Sequence, residues 1–357
     1  MKFTNPLSFR MTNVRAQFWV SALLFICSFA QLSAQPGPTW QTWVRNGEAA
    51  LEAGDFARAV SDFEQARQLA PENLEIDRGL LLSYLQAGRL REAAQLGRDS
   101  VARWPRDAQL HHLLGLGLFK THQNSVALAE LQKSATLDPR NPDIHFDLAL
   151  VELEEKQYAP AANSLETAIQ LSPRNALAHV LLGRAYQNTN RTLRAIEQFQ
   201  TALNIDPDIP LGHYHLGFAY ASLGRNQEAI AEYEKEIIRS PRNPTVLYQL
   251  GRLLLEAGEW KSSAKFLQTV TEIDPQNADA FCDWGKALLL AGDPATAIPL
   301  FQRSIELQPA DPRSHYQLAR ALEKLGKRDE AQREWQLFAD LKKAQPQSGG
   351  MASGQTR

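Results

Sequence analysis

The chain has 357 residues, 44% hydrophobic and 22% charged, with 38 basic against 40 acidic side chains and two cysteines. So even a balance gives no basic footprint for nucleic acid, and two cysteines cannot build a disulfide framework. The length suffices for a large core without such staples.

At the N-terminus Lys2, Arg10 and Arg15, with no acidic residue among them, precede an apolar run from Phe18 to Ala30. Ser28-Phe29-Ala30 or Leu32-Ser33-Ala34 offers a small-residue cleavage site. Residues 1–34 therefore read as a secretory signal peptide and 35–39 as a linker, and the expected location is exported, periplasmic or extracellular. The alternative is an uncleaved anchor, against which the run is short compared with the roughly 20 residues that span a bilayer. Ile26 before Cys27 disfavours lipoprotein processing. Loss of residues 1–34 leaves Cys282 alone and 35 basic against 40 acidic residues, a net charge of −5.

From Trp40 onward the chain is periodic. Pro71, Pro105, Pro139, Pro173, Pro207, Pro241, Pro275 and Pro309 stand 34 residues apart without a slip. With the proline as position 32, nine repeats fill 40–345: 40–73, 74–107, 108–141, 142–175, 176–209, 210–243, 244–277, 278–311 and 312–345. A strict period of this length means one supersecondary unit stacked many times. Position 20 is Ala59, Ala93, Ala127, Ala161, Ala195, Ala229, Ser263, Ala297 and Ala331, and position 8 is mostly glycine or alanine, so both columns predict where two helices meet closely.

Punctuation falls at matching places. Position 34 is Asn73, Asp107, Asn141, Asn175, Asn243, Asn277 or Asp311, residue types that cap a helix N-terminus. Pro142, Pro210, Pro244 and Pro312 follow, predicting a helix start there. Position 15 carries Gly54, Gly88, Gly224, Gly258, Gly292 and Gly326, with Asn190 in repeat five, as a left-handed residue ending the first helix requires. His122 and Lys156 break that pattern, so their turns are either differently shaped or strained. A second helix is expected from about position 17 to position 30, and the apolar spacing is helical throughout. The fold class is all-α, a row of eighteen helices. The Gly-, Ser- and Gln-rich tail, 346–357, is expected to be disordered, and the polar second helix of repeat nine, with Arg333, Glu334, Asp340, Lys342 and Lys343, to cap the array.

Repeat six carries His213, Leu216, Gly217, Tyr220, Ala229, Tyr233 and Pro241, and repeat five His179, Leu182, Gly183, Tyr186, Ala195, Phe199, Ala202 and Pro207. In these residues the chain resembles the tetratricopeptide repeat family. The resemblance covers residues 40–345 and implies a right-handed α-α superhelical solenoid of nine 34-residue helix-turn-helix repeats, whose first helices line a concave groove through positions 2, 5, 9 and 12. On that implication the groove divides into two zones. Repeats two to four give Leu82, Leu116, Phe119, Phe146 and Leu150, with Leu85, Leu153 and His112, an apolar zone. Repeats five to nine give Arg184, Tyr214, Phe218, Tyr248, Arg252, Lys286, Tyr316 and Arg320, a cationic and aromatic zone. Together they would suit an extended or helical peptide with apolar anchors and an acidic stretch.

His111, His145, His179, His213 and His315 all occupy position 4. Stacked helices lie roughly 8–10 Å apart whereas zinc ligands sit within about 2.1 Å of the ion, so successive histidines cannot share a metal and read as packed, half-buried rings. No phosphate loop, nucleophile elbow or metal-ligand spacing is visible. The expectation is therefore a non-catalytic protein-protein interaction module without cofactor, metal, nucleic-acid partner or evident small-molecule substrate. A multi-subunit scaffold or assembly factor in envelope biogenesis or secretion is the alternative, and an enzyme the distant one.

Overall fold

The computed structural model of the protein describes residues 39–344, so the expected signal segment, with Cys27, and the C-terminal tail lie outside the described residues. Among the described residues there are eighteen α-helices and no strand, and none of the helices is long and apolar enough to cross a membrane. Contacts divide the chain between Gln123 and Asn124 into two compact units.

The first unit holds α1 (Trp40–Glu52), α2 (Phe56–Leu69), α3 (Leu74–Gln86), α4 (Leu90–Arg103) and α5 (Ala108–Lys120). The second holds α6 (Asn124–Leu137), α7 (Pro142–Glu154), α8 (Tyr158–Leu171), α9 (Ala176–Asn188), α10 (Thr192–Ile205), α11 (Gly212–Ser222), α12 (Asn226–Arg239), α13 (Pro244–Glu256), α14 (Trp260–Ile273), α15 (Ala278–Leu290), α16 (Pro294–Leu307), α17 (Pro312–Lys324) and α18 (Arg328–Ala344). Within each unit every helix packs on its neighbours in the chain, and the first helices of successive repeats touch one another, as α13 touches α15 and α15 touches α17. A face made of first helices is what an α-α solenoid requires.

The seam inside each hairpin depends on size matching. Ala59, Ala93, Ala127, Ala161, Ala195, Ala229 and Ala297 are fully buried, as is Ser263. Position 8 receives the side chain at position 24: a Cβ on Gly183 would lie 2.5 Å from the Phe199 ring, and one on Gly285 2.6 Å from Phe301. Repeat two lacks the large residue, having Gly97 at position 24, and there Leu114 of the next repeat takes the space, 2.8 Å from where a Cβ would stand.

All seven predicted caps accept a backbone hydrogen bond, for example Asn243 from Thr245 N at 3.1 Å and Asp107 from Leu110 N at 2.9 Å. The exception to the predicted starts is repeat six. Its first helix begins at Gly212 and not at Pro210, because Ile209, which occupies the capping position, has no side-chain acceptor; it is buried instead, and Leu211 turns left-handed at φ 60°. Glu236 substitutes as the cap, its carboxylate reaching across from α12 to accept from Tyr214 N at 3.2 Å. The two irregular turns keep the common shape: His122 and Lys156 adopt φ 58° and 57°, as Asn190 does at 58°. Each thus carries the left-handed cost of about 1–2 kcal/mol that glycine avoids.

The histidine column has a local explanation. His111, His145 and His179 place Nε2 within 3.2, 3.1 and 3.2 Å of the carbonyls of Pro105, Pro139 and Pro173, the ladder prolines of the preceding repeats. Nδ1 of His179, His213 and His315 faces Gln198, Glu232 and Glu334 at 2.7, 2.5 and 2.6 Å. Through Nε2, His111, His145 and His179 tie the start of one repeat to the end of the last, and the Nδ1 contacts join the two helices within a repeat. His111, His179 and His315 are buried more deeply than the half-buried state expected of them, at 2%, 6% and 6% exposure.

Candidate functional site

Three successive first helices and the last second helix of the second unit enclose a cleft of about 570 Å³. The i, i+4 spacing puts Tyr248, Arg252 and Glu256 on one face of α13, Cys282 and Lys286 on α15, and Pro312 and Tyr316 on α17. Four of the residues expected of the groove, Tyr248, Arg252, Lys286 and Tyr316, therefore line one cavity. Arg320 stands beside it, its guanidinium 5.7 Å from the centre of the Tyr316 ring.

The cleft is more mixed in charge than the sequence reading anticipates. Asp283 at its wall accepts a hydrogen bond from Tyr248 Oη at 3.0 Å and lies 4.0 Å from Arg252 Nε. Burial pushes the Asp283 carboxyl up, opposed by the Tyr248 hydrogen bond and by the charges of Arg252 and Lys286. Burial and the neighbouring carboxylates likewise push the Tyr248 phenol up. Arg313 pairs with Asp279 and, at 2.7 Å, with Asp311. Among the described residues no carboxylate lies within ion-pair distance of Lys286, Lys342 or Arg320. After internal pairing a surplus of positive charge remains, with Lys342 Nζ 5.7 Å from the Phe338 ring and Tyr316 packed on Trp335 and Phe338 at 5.2 and 5.3 Å.

Arg184, Tyr214 and Phe218 fall outside this cleft. Tyr214 packs on Phe218, Tyr233 and His215, with centroid distances of 6.4, 5.9 and 5.3 Å. Phe218 is 43% exposed and lines a second pocket of about 210 Å³ beside Arg252. Arg184 is exposed near His215, whose imidazole is pushed down to about 4 by burial and by the Arg184 charge.

The apolar residues are placed differently. In the first unit Leu82 and Leu116 are half-buried against its core, Phe119 is half-buried and Leu85 is core. In the second, Phe146, Leu150 and Leu153 are half-buried against the core. Each unit thus uses its part of the expected strip as the edge of its packing.

Sequence reasoning passed over Asp279, Asp283, Arg313 and Phe338. Asp279 and Arg313 occupy position 2, a groove column whose residues were not singled out, and Asp283 occupies position 6, one helical turn from position 9. Phe338 had a signal of its own: it stands at position 27, where six of the other eight repeats carry alanine or serine and the remaining two Glu236 and Val270. Two residues expected on the polar outer face of the last helix turn inward, Glu334 to His315 and Lys342 to the cleft.

No curated protein is a significant sequence match to the chain. Solved structures with similar folds include the APC/C hetero-tetramer Cut9–Hcn1 (18% identity, 85% of this chain and 59% of that one, TM-score 0.50). They also include YrrB, described as a TPR protein with an unusual peptide-binding site (20%, 52% and 95%, 0.47), and MamA from Desulfovibrio magneticus RS-1 (20%, 48% and 96%, 0.46). Two models of the tetratricopeptide repeat match, one at residues 152–216, 220–281 and 288–348, the other at 44–108 and 112–176. With repeat models matched over most of its length and helical hairpins packed in sequence, the chain belongs to the tetratricopeptide repeat family.

Proposed function

We propose that the protein is an exported, non-catalytic interaction module that binds a linear segment of a partner protein in the cleft of repeats seven to nine. The repeat family supports protein-protein interaction in general. The observation that carries the finer reading is the cleft where Tyr248, Arg252, Lys286 and Tyr316 converge, with more cations than the neighbouring carboxylates neutralise. Flat aromatic surfaces beside unneutralised ammonium and guanidinium groups suit a segment that alternates acidic side chains with apolar ones. Export rests on the basic and then apolar N-terminal segment, and N-terminal sequencing of the mature protein after Ala30 or Ala34 tests it.

Selection from a displayed library of random dodecapeptides tests the binding mode. The full chain is expected to enrich segments carrying two or more acidic residues next to an aromatic or aliphatic one. Replacing Arg252, Lys286 and Arg320 together by Glu is expected to weaken those segments about 100-fold, or about 2.7 kcal/mol, with the far-ultraviolet spectrum unchanged. Enrichment without acidic residues, or unchanged affinity in the triple variant, would sink the proposal.

A further inference from the structure

Tyr233 of repeat six carries a polar group that packing does not require. It is fully buried at position 24, its ring under Gly217, where a Cβ would stand 2.9 Å away. Phe63, Phe199 and Phe301 fill the same position in repeats one, five and eight at no more than 1% exposure, so the ring alone completes the seam. Yet Tyr233 Oη is buried and has no hydrogen-bond partner among the described residues. An unpartnered buried hydroxyl is unfavourable, and retaining one where phenylalanine packs equally well points to a partner from outside.

Tyr233 lines the pocket of about 210 Å³ whose apolar side is Phe218, Ala221 and Leu253 and whose polar side is Ser222, Asn226, Gln249, Arg252 and Glu256. Against the roughly 300–1,000 Å³ of ordinary small-molecule sites, this is room for one side chain. Arg252 and Glu256 also line the larger cleft, so the two cavities share a rim.

Burial pushes the Tyr233 phenol up, so it stays protonated and can donate. The occupant must then offer an acceptor. Arg252 and Glu256 pair with each other at 3.9 Å, so the lining calls for no net charge in the occupant, and an ammonium group would also leave the phenol unpaired. A carboxamide meets both demands, its oxygen accepting from Tyr233 and its NH₂ donating to Glu256. We infer that this pocket receives the side-chain amide of an Asn or Gln in the segment whose acidic part lies in the adjoining cleft. The inference rests on the proposed binding mode and adds a specificity site to it.

Tyr233→Phe tests it in two ways. Without ligand, the variant is expected to unfold at a temperature equal to or above that of the native chain; a lower one would mean the hydroxyl has an internal structural role and would overturn the inference. With the dodecapeptides selected above, Asn or Gln is expected at one fixed distance from the acidic residues. Tyr233→Phe should weaken such a peptide about 10-fold and leave its Leu-substituted version unchanged. Equal weakening of both versions, or no weakening of either, would contradict the amide site, an ordered water then being the partner of Oη. If peptides retain the acidic preference and lose affinity on charge reversal but show no amide position, only the inference fails. If no peptide is selected at all, the binding mode fails and the inference with it.

Discussion

Replacing Phe199 by Ala is expected to lower the stability of the second unit by about 3–5 kcal/mol, because the substitution opens a cavity that its surroundings cannot close. Phe199 is fully buried in the cluster running from repeat four to repeat seven. On one side its ring fills the space that Gly183 leaves open, and on the other it stacks on His215 with centroids 5.5 Å apart and planes inclined by 16°. The loss therefore touches both the seam inside repeat five and its junction with repeat six. In a solenoid whose stability is a sum of repeat and nearest-neighbour contributions, both terms fall together. At about 2–4 °C per kcal/mol for a folding unit of this size, the midpoint should drop by roughly 10 °C. Thermal and urea unfolding followed by circular dichroism measure this. Leu193→Ala, at a side chain that is 66% exposed, serves as the control and should change stability by less than about 0.5 kcal/mol. A Phe199 variant as stable as that control would mean the hairpin seam is misassigned.

Acidification is expected to remove about 3 kcal/mol of stability through His215 alone. Its imidazole is pushed down from 6.5 to about 4, first by burial and then by the charge of Arg184. Above pH 6.5 the ring is neutral in both states and contributes nothing. Between pH 6.5 and 4 the unfolded chain takes up a proton that the folded chain refuses, and stability falls by about 1.4 kcal/mol per pH unit. Below pH 4 both states are protonated and the loss levels off. The carboxyls of Glu152 and Asp283, pushed up by burial, have the opposite sign: their stabilisation is present at low pH and lost as pH rises through their folded values. Comparison with His215→Phe, which retains a ring against Phe199, isolates the histidine. The native chain should lose about 3 kcal/mol more than the variant between pH 7 and 4, and parallel stability profiles would contradict the assignment.

The repeat architecture was legible because it is written in backbone chemistry. Left-handed turns need glycine, helix starts need Asn or Asp, and close helix crossings need alanine or glycine, so these residues recur at fixed positions. Where the recurrence fails, the local outcome could not be read. Nothing in Ile209 announces that Glu236, from the following helix, will cap α11, and no period predicts that α18 turns Phe338 and Lys342 toward the first helices. The cations and tyrosines that line the cleft were legible as a set of columns. Asp283, which partly neutralises them, lies one turn away, and only side-chain placement shows it against Tyr248 and Arg252. The orphan hydroxyl of Tyr233 was invisible for a related reason, since tyrosine and phenylalanine are interchangeable in the pattern that defines the repeat.

The most direct test places a photo-crosslinking phenylalanine analogue at position 286, on the cleft wall, and maps what it captures in the compartment where the protein resides. A single acidic linear segment of a partner, lost when Arg252 and Arg320 are reversed in charge, is the predicted result. Crosslinks scattered over several folded subunits, or unaffected by charge reversal, would contradict a segment-binding cleft.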